Sequence, residues 1–223
     1  MIKAFLFDLN GTMIDDMDFH ARVWEDILNN QLGANLTAEE VKLQMYGKGE
    51  EMLVRVFGEG RFSVKEMQDI TFEKEKQYQK LFLPHLKLIN GLDAFLEKYH
   101  KIGIKMAIGS AAIMFNIDYV VNGLDLHRYF QVKVSADEVE KSKPDPETFL
   151  TCAERLGVKP EECIVFEDNP KGVESALRAG MKSVVLTTMH EEHEFNEMSN
   201  ILKFIENYND PFLETLLSSD IAN

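Results

Sequence analysis

The chain has 223 residues, 45% of them apolar and 28% charged, enough for one sizeable core or one core plus a small insert. With 24 Lys and Arg against 38 Asp and Glu the formal charge is −14, which argues against a nucleic-acid partner whose phosphates must be tracked. No apolar stretch reaches the roughly 18 residues of a membrane span, and the opening MIKAFLFDLN has no apolar segment ending in a small-residue cleavage site, so the expectation is a soluble, cytoplasmic, monomeric protein with no membrane partner.

In chain order the first element is a β-like run, Ala4 to Phe7. Between Met13 and Pro84 only helical signals occur. Trp24, Ile27 and Leu28 share a helical face with Gly33 as a stop, and capping boxes run from Thr37 to Glu40 and from Ser63 to Glu66. Helical spacing then resumes from Gly91 to His100, closing at Gly103. Strands follow at Lys105 to Ile108 and Val132 to Ser135. A helix is predicted behind Asp145, with Pro146 at its first position, the apolar stripe Phe149, Leu150, Ala153 and Leu156, and Gly157 as its end. Next come a strand at Ile164 to Phe166 and a helix opened by Asn169 before Pro170, with Val173, Ala176 and Leu177 inward and Gly180 as its stop. The last predicted strand is Val184 to Leu186. Cys152 and Cys163 lack CxxC spacing, fall in a helix and a strand, and read as buried thiols.

This alternation predicts an α/β fold, a Rossmann-like parallel sheet core over residues 1–14 and 86–223. About 70 residues of helix inserted after the first strand predict a helical cap domain over 15–85. Open α/β sheets bind ligands beyond the carboxyl ends of their strands, so a cap able to close over the site is expected.

Four short motifs stand at strand ends. Asp8 emerges from the first strand into the turn Leu9-Asn10-Gly11-Thr12. Ser110 ends Ile108-Gly109-Ser110. Lys143 opens the stiff turn Lys143-Pro144-Asp145-Pro146, and the pair Glu167-Asp168 closes a strand directly before Asn169-Pro170. Singly these read as a loop carboxylate, a helix cap, a solvated lysine and a capping pair. Together they place three carboxylates at one sheet edge, which calls for a hard divalent cation, and Mg2+ fits because it keeps waters and bridges to phosphate oxygens. Lys143 and Ser110 add donors for the remaining oxygens of a phosphoryl group.

In this order, over essentially the whole chain, the motifs resemble the haloacid dehalogenase superfamily of aspartyl-phosphate phosphotransferases, and within it the β-phosphoglucomutase-like group with a helical cap. The resemblance implies that Asp8 is the nucleophile and that Ser110, with Ala111 beside it, and Lys143 hold the transferring phosphoryl group. It also implies Mg2+ on Asp8, the backbone carbonyl of Asn10 and Asp168, with Glu167 as a further ligand or just behind. Gly11 and Thr12 would offer backbone N–H donors, and Thr12 could reach the phosphate. The implied activity is Mg2+-dependent hydrolysis of a small phosphorylated metabolite, a sugar phosphate, through phospho-Asp8.

The chain departs from that pattern at position 10. Phosphatases and mutases of the family carry a second aspartate there, as general acid and base; Asn10 cannot hold or release that proton. An engineered substitution, a natural specialisation for substrates with good leaving groups, and a binding-only relative are all compatible with it. The Asn10-Gly11 pair also favours deamidation. The dehalogenase branch likewise lacks the second aspartate, but Glu167 and Asp168 argue for a metal that dehalogenases do not use.

In the predicted cap, His20 opens the first helix, where the family has a hinge histidine; the alternative is a surface residue at a helix end. A mutase similar to β-phosphoglucomutase carries an arginine in the segment matching Tyr46-Gly47-Lys48-Gly49-Glu50. Glu50 there faces a phosphate with the wrong sign, and Lys48 is the nearby cation, which lowers the expectation of mutase activity. Lys74, within Glu73-Lys74-Glu75-Lys76, reads as a solvated helix face or as a phosphate contact. His190 and His193 lack a third ligand at helix or strand spacing. The expectation is a phosphatase, with a sugar-phosphate mutase or a non-catalytic phospho-ligand binder as alternatives.

Overall fold

Ala4–Phe7 (β1) is buried along its whole length, as a strand covered on both faces of a parallel sheet must be. The structure is a computed structural model describing residues 1–196 and 198–217. It separates into two compact units, Met1–Asp15 with the chain from Lys87 onward, and Asp16–Leu86.

The second unit is helical: α1 (Met17–Glu25), running on through a π-helical turn at Asp26–Gln31, then α2 (Ala38–Leu43), α3 (Gly49–Phe57) and α4 (Val64–Phe82). The Thr37–Glu40 and Ser63–Glu66 capping boxes both form, each side-chain oxygen accepting from the backbone N–H three residues on. Trp24, Ile27 and Leu28 are buried as their spacing predicts.

In the first unit β1 is followed by α5 (Leu92–Lys101), β2 (Lys105–Gly109), α6 (Met114–Gly123), β3 (Val132–Val134) and α7 (Glu147–Leu156). After them come β4 (Cys163–Glu167), α8 (Pro170–Arg178), β5 (Lys182–Leu186) and β6 (Ile201–Ile205). All strand pairs are parallel and the order is β3-β2-β1-β4-β5-β6, the doubly wound arrangement predicted from the alternation. Phe7 lies opposite Ile108 on one side and Phe166 on the other. The strand order therefore reverses between β1 and β4, and the crevice beyond their carboxyl ends is the topological switch point where such sheets bind ligands.

Side-chain alternation divides the core by sheet face. Ala4, Leu6, Cys163 and Val165 pack with Phe149, Cys152 and Ala153 of α7. Phe5, Phe7 and Phe166 pack with Phe95 and Tyr99 of α5 and with Tyr208, and the Phe7 and Phe166 rings stack at 4.8 Å. Both cysteines are free and buried.

Three expectations are corrected. β6 lies beyond the predicted strands, because Ile-Leu-Lys-Phe-Ile lacks strict alternation and adjoins no turn pair. β3 stops at Val134, one residue short. α7 begins at Glu147, with Pro146 outside it and Asp145 Oδ1 accepting from the Glu147 N–H at 3.1 Å. No helix among the described residues is long and apolar enough to cross a membrane.

Candidate active site

Asp8 extends the β1 ladder by one bond, its N–H donating to the Phe166 carbonyl at 3.0 Å, and this carries its carboxylate just past the sheet edge. Lys143, from the loop after β3, donates from Nζ to Asp8 Oδ1 at 2.7 Å, to Glu167 Oε1 at 2.8 Å and to the Gly109 carbonyl at 3.0 Å. All three ammonium protons therefore have partners, and all three partners stand at strand ends. The Ser110 hydroxyl also bonds the Asp8 carboxylate. Asp8, Ser110, Lys143, Glu167 and Asp168 are each 7% exposed or less, so sequence positions as far apart as 8 and 168 share one buried cluster.

Burial, with the Glu167 charge beside it, raises the Asp8 carboxyl to about 6 against the opposing pull of Lys143 and the Ser110 hydrogen bond. Burial opposes the Lys143 charge, but Asp8 and Glu167 outweigh it and hold the ammonium above the ordinary lysine value.

Glu167, expected as a further metal ligand or just behind the ligands, has both carboxylate oxygens engaged by protein donors. Its Oε1 is taken by Lys143, and its Oε2 accepts the N–H groups of Asp168 and Asn169 at 2.9 and 2.8 Å. The reason is local: β4 ends there, and the first amides of the turn into α8 need acceptors. Gly172 in the first turn of α8 makes room, since a Cβ there would lie 1.7 Å from Glu167 Oε1. Gly to Ala in a helix ordinarily gains up to about 1 kcal/mol. Here the clash reverses the sign: Gly172→Ala is expected to lose about 1–3 kcal/mol in urea denaturation, and a neutral or stabilised variant would show that Glu167 is not held where it is described.

Asp168 approaches the loop after Asp8. Thr12 Oγ1 donates to Asp168 Oδ1 at 3.3 Å, and Gly11, at φ +72°, leaves space that a Cβ would fill 2.0 Å from Asp168 Oδ2. Thr12 thus reaches Asp168. The Gly11 N–H, expected as a phosphate donor, is committed to the Ile14 carbonyl at 2.8 Å. That bond also restrains the nitrogen that would attack the Asn10 side chain in deamidation. Asn10 itself is half-buried in the turn and forms a bridge with Ile14.

Among the described residues no group of three or more His, Cys, Asp or Glu side chains is arranged to hold a metal ion. The donor chemistry nevertheless fits Mg2+, which binds through one or two carboxylates together with substrate phosphate rather than in an all-protein cage. Asp8, Glu167 and Asp168 outnumber Lys143 in this buried cluster, so a divalent cation there would offset carboxylate charge that Lys143 alone does not.

Two residues of this region carried no sequence signal. Thr188 Oγ1 donates to the Gly11 carbonyl at 2.6 Å and the Tyr208 hydroxyl donates to the Thr12 carbonyl at 3.1 Å, across 177 and 196 positions of chain. His190 bonds Glu194 at 3.0 Å and contacts Asn169 at 3.3 Å. The clefts of about 620 and 490 Å3 beside β6 include none of the expected site residues.

Within the helical unit, Lys74 is 2% exposed and not a solvated lysine. Its Nζ bonds His20 Nδ1 and donates to both Glu75 oxygens at 3.0 and 3.1 Å, and it lies 5.3 Å from the Trp24 ring. His20 is likewise buried, stacked at 3.7 Å on Tyr78, whose hydroxyl donates to Asp16 at 2.5 Å. The i, i+4 geometry of α1 and α4 turns these polar side chains to one interior. Lys48 stands half-buried at the start of α3, and its N–H donates to Glu51 at 3.0 Å.

The family model for haloacid dehalogenase-like hydrolases matches residues 5–186. Hexitol phosphatase A of Escherichia coli is 30% identical over 92% of this chain and 92% of its own. The β-phosphoglucomutase of Bacillus subtilis is 30% identical over 82% of each chain. A family IA hydrolase from Entamoeba histolytica superposes with a TM-score of 0.87 at 26% identity, covering 99% of both chains.

Proposed function

The chain belongs to the haloacid dehalogenase-like hydrolase family and is an enzyme, and we propose that it is a Mg2+-dependent phosphatase acting on a small phosphorylated sugar or polyol through a phospho-Asp8 intermediate. The observation that carries this reading is the Lys143 bridge between Asp8 and Glu167, which fixes a buried carboxylate at the switch point of the sheet. The relatives' activities, a hexitol phosphatase and a β-phosphoglucomutase, support the substrate class.

The Asp8 carboxylate attacks phosphorus as the bond to the leaving oxygen breaks, that oxygen taking its proton from solvent because Asn10 has none to give, and water then attacks the phospho-aspartate, releasing phosphate and a proton and restoring Asp8. Ser110 and Lys143, both on the attacking carboxylate, hold the transferring oxygens, Lys143 by exchanging one of its present partners for a phosphoryl oxygen, and the Ala111 amide, next in the chain after Ser110, is a further candidate donor. Glu167 keeps Lys143 protonated and aimed. Asp8, Asp168 and the backbone carbonyl of Asn10 would hold a magnesium ion, which when bound offsets charge on the phosphoryl oxygens. The helical unit would act as the cap that selects the substrate, with His20, Lys48 and Lys74 as its candidate contacts. The pairing of Lys74 with Glu75 and the presence of Glu50 disfavour a second phosphate, and so disfavour a mutase. Asn10 favours one further reading, a binding-only relative.

The test is Mg2+-dependent phosphate release across a panel of sugar, polyol, acyl and aryl phosphates. Release is expected to disappear on chelation and in Asp8→Ala. Release that survives either, or no release from any compound by this protein or by Asn10→Asp, overturns the proposal.

A further inference from the structure

The loop after Asp8 is held from outside at two consecutive peptides, 11–12 by the Thr188 hydroxyl and 12–13 by the Tyr208 hydroxyl. Gly11, at φ +72°, belongs to the residue type whose neighbouring peptides reorient at least cost, so the direction of the 11–12 plane depends on what grips it. In a planar trans peptide the carbonyl and the next N–H point in opposite directions. A hydroxyl on the Gly11 oxygen therefore also sets where the Thr12 N–H points. The sign matters beside an anion, because a carbonyl dipole repels a phosphoryl group whereas an N–H attracts it. Thr12 is fully buried and its side chain reaches Asp168, so the peptide in question lies in the candidate site.

We infer that Thr188 is a positioning residue for phosphoryl transfer at Asp8, with Tyr208 in support: its hydroxyl keeps the Gly11 carbonyl turned away from the phosphoryl group and the Thr12 N–H turned towards it. The inference rests on the phosphatase reading above. Thr188 follows β5, outside all four motifs, and the bond to Gly11 is made by its hydroxyl, so a variant that removes only that donor tests the role.

The test measures Mg2+-dependent binding of inorganic phosphate by calorimetry in the parent, Thr188→Val, Thr188→Ser and Tyr208→Phe, with thermal melting alongside. Valine keeps the shape of threonine and removes the donor. It is expected to weaken phosphate binding about tenfold with little change in melting, whereas serine, which keeps the donor, restores it. Tyr208→Phe is expected to weaken binding in the same direction. In the metal-free protein, amide exchange over residues 11–13 is expected to quicken in Thr188→Val and not in Thr188→Ser. Phosphate binding by Thr188→Val equal to the parent, or equal losses in the valine and serine variants, overturns the inference alone. A parent that binds no phosphate with Mg2+ overturns the phosphatase reading and the inference with it.

Discussion

Changing Asn10 to aspartate is expected to raise Mg2+-dependent phosphate release from sugar phosphates by about 10²- to 10⁴-fold, with KM little altered. The leaving alcohol of a sugar phosphate is a poor leaving group and needs a proton as the bond to phosphorus breaks. Asn10 sits two residues after Asp8, half-buried in the turn that carries the nucleophile, and its amide can neither supply that proton nor take one from the incoming water. The gain corresponds to about 3–5 kcal/mol of barrier. Activated acyl or aryl phosphates, whose leaving groups depart without help, should gain far less, and that contrast marks the effect as proton transfer. Deamidation is not expected to mimic the change during storage, because the Gly11 nitrogen is bonded to Ile14. If the Asn10 protein already turns over sugar phosphates as fast as the aspartate variant, the acid and base work is not done at position 10.

Much of this site is legible in the sequence because the fold converts order along the chain into proximity. In a parallel sheet every strand delivers its carboxyl end to the same edge, so Asp8, Ser110 and Glu167-Asp168 meet once the strands before them are recognised, whereas Lys143, expected at a strand end, stands well past the end of β3 at Val134 and reaches them from its loop. What sequence could not supply is how the charges divide. Glu167 and Asp168 are adjacent carboxylates with the same chemistry, yet the turn into α8 gives Glu167 two backbone amides and Lys143, and sends Asp168 to Thr12 and Gly11. Lys74 was obscured for a similar reason. Glu73-Lys74-Glu75-Lys76 has the composition of a solvated face, and only the rotation of α4 shows that Lys74 and Glu75 are buried while Lys76 is exposed. Thr188 and Tyr208 act on backbone carbonyls, which any sequence possesses, so no side-chain pattern marks them. β6 escaped because a strand at a sheet edge need bury only part of its surface, and Ile201–Ile205 is accordingly half-buried or exposed at all but its last residue.

Lys143→Met is expected to lower stability at neutral pH by about 3–5 kcal/mol, as when one partner of a buried ion pair is removed. Methionine fills a similar volume beside Phe149, whose ring lies 4.5 Å from Nζ, so packing contributes little to the loss and the charge contributes most. Without the ammonium, Asp8 and Glu167 are two buried carboxylates left without the cation they share, and the Gly109 carbonyl loses its donor. Glu167→Gln in the same background removes one of the two charges and should return part of the loss. The double-mutant cycle then isolates the Lys143–Glu167 coupling from the damage done by either change alone. Mg2+ should also stabilise Lys143→Met more than it stabilises the parent, because the ion supplies positive charge beside Asp8 that the variant lacks. Phosphate release is expected to fall by about 10²- to 10³-fold, since the same ammonium serves the folded state and the transferring phosphoryl group. Denaturation in urea with and without Mg2+, followed by phosphate-release kinetics on the same samples, tests both halves. A Lys143→Met protein within about 0.5 kcal/mol of the parent would mean that the bridge carries little of the energy its burial implies.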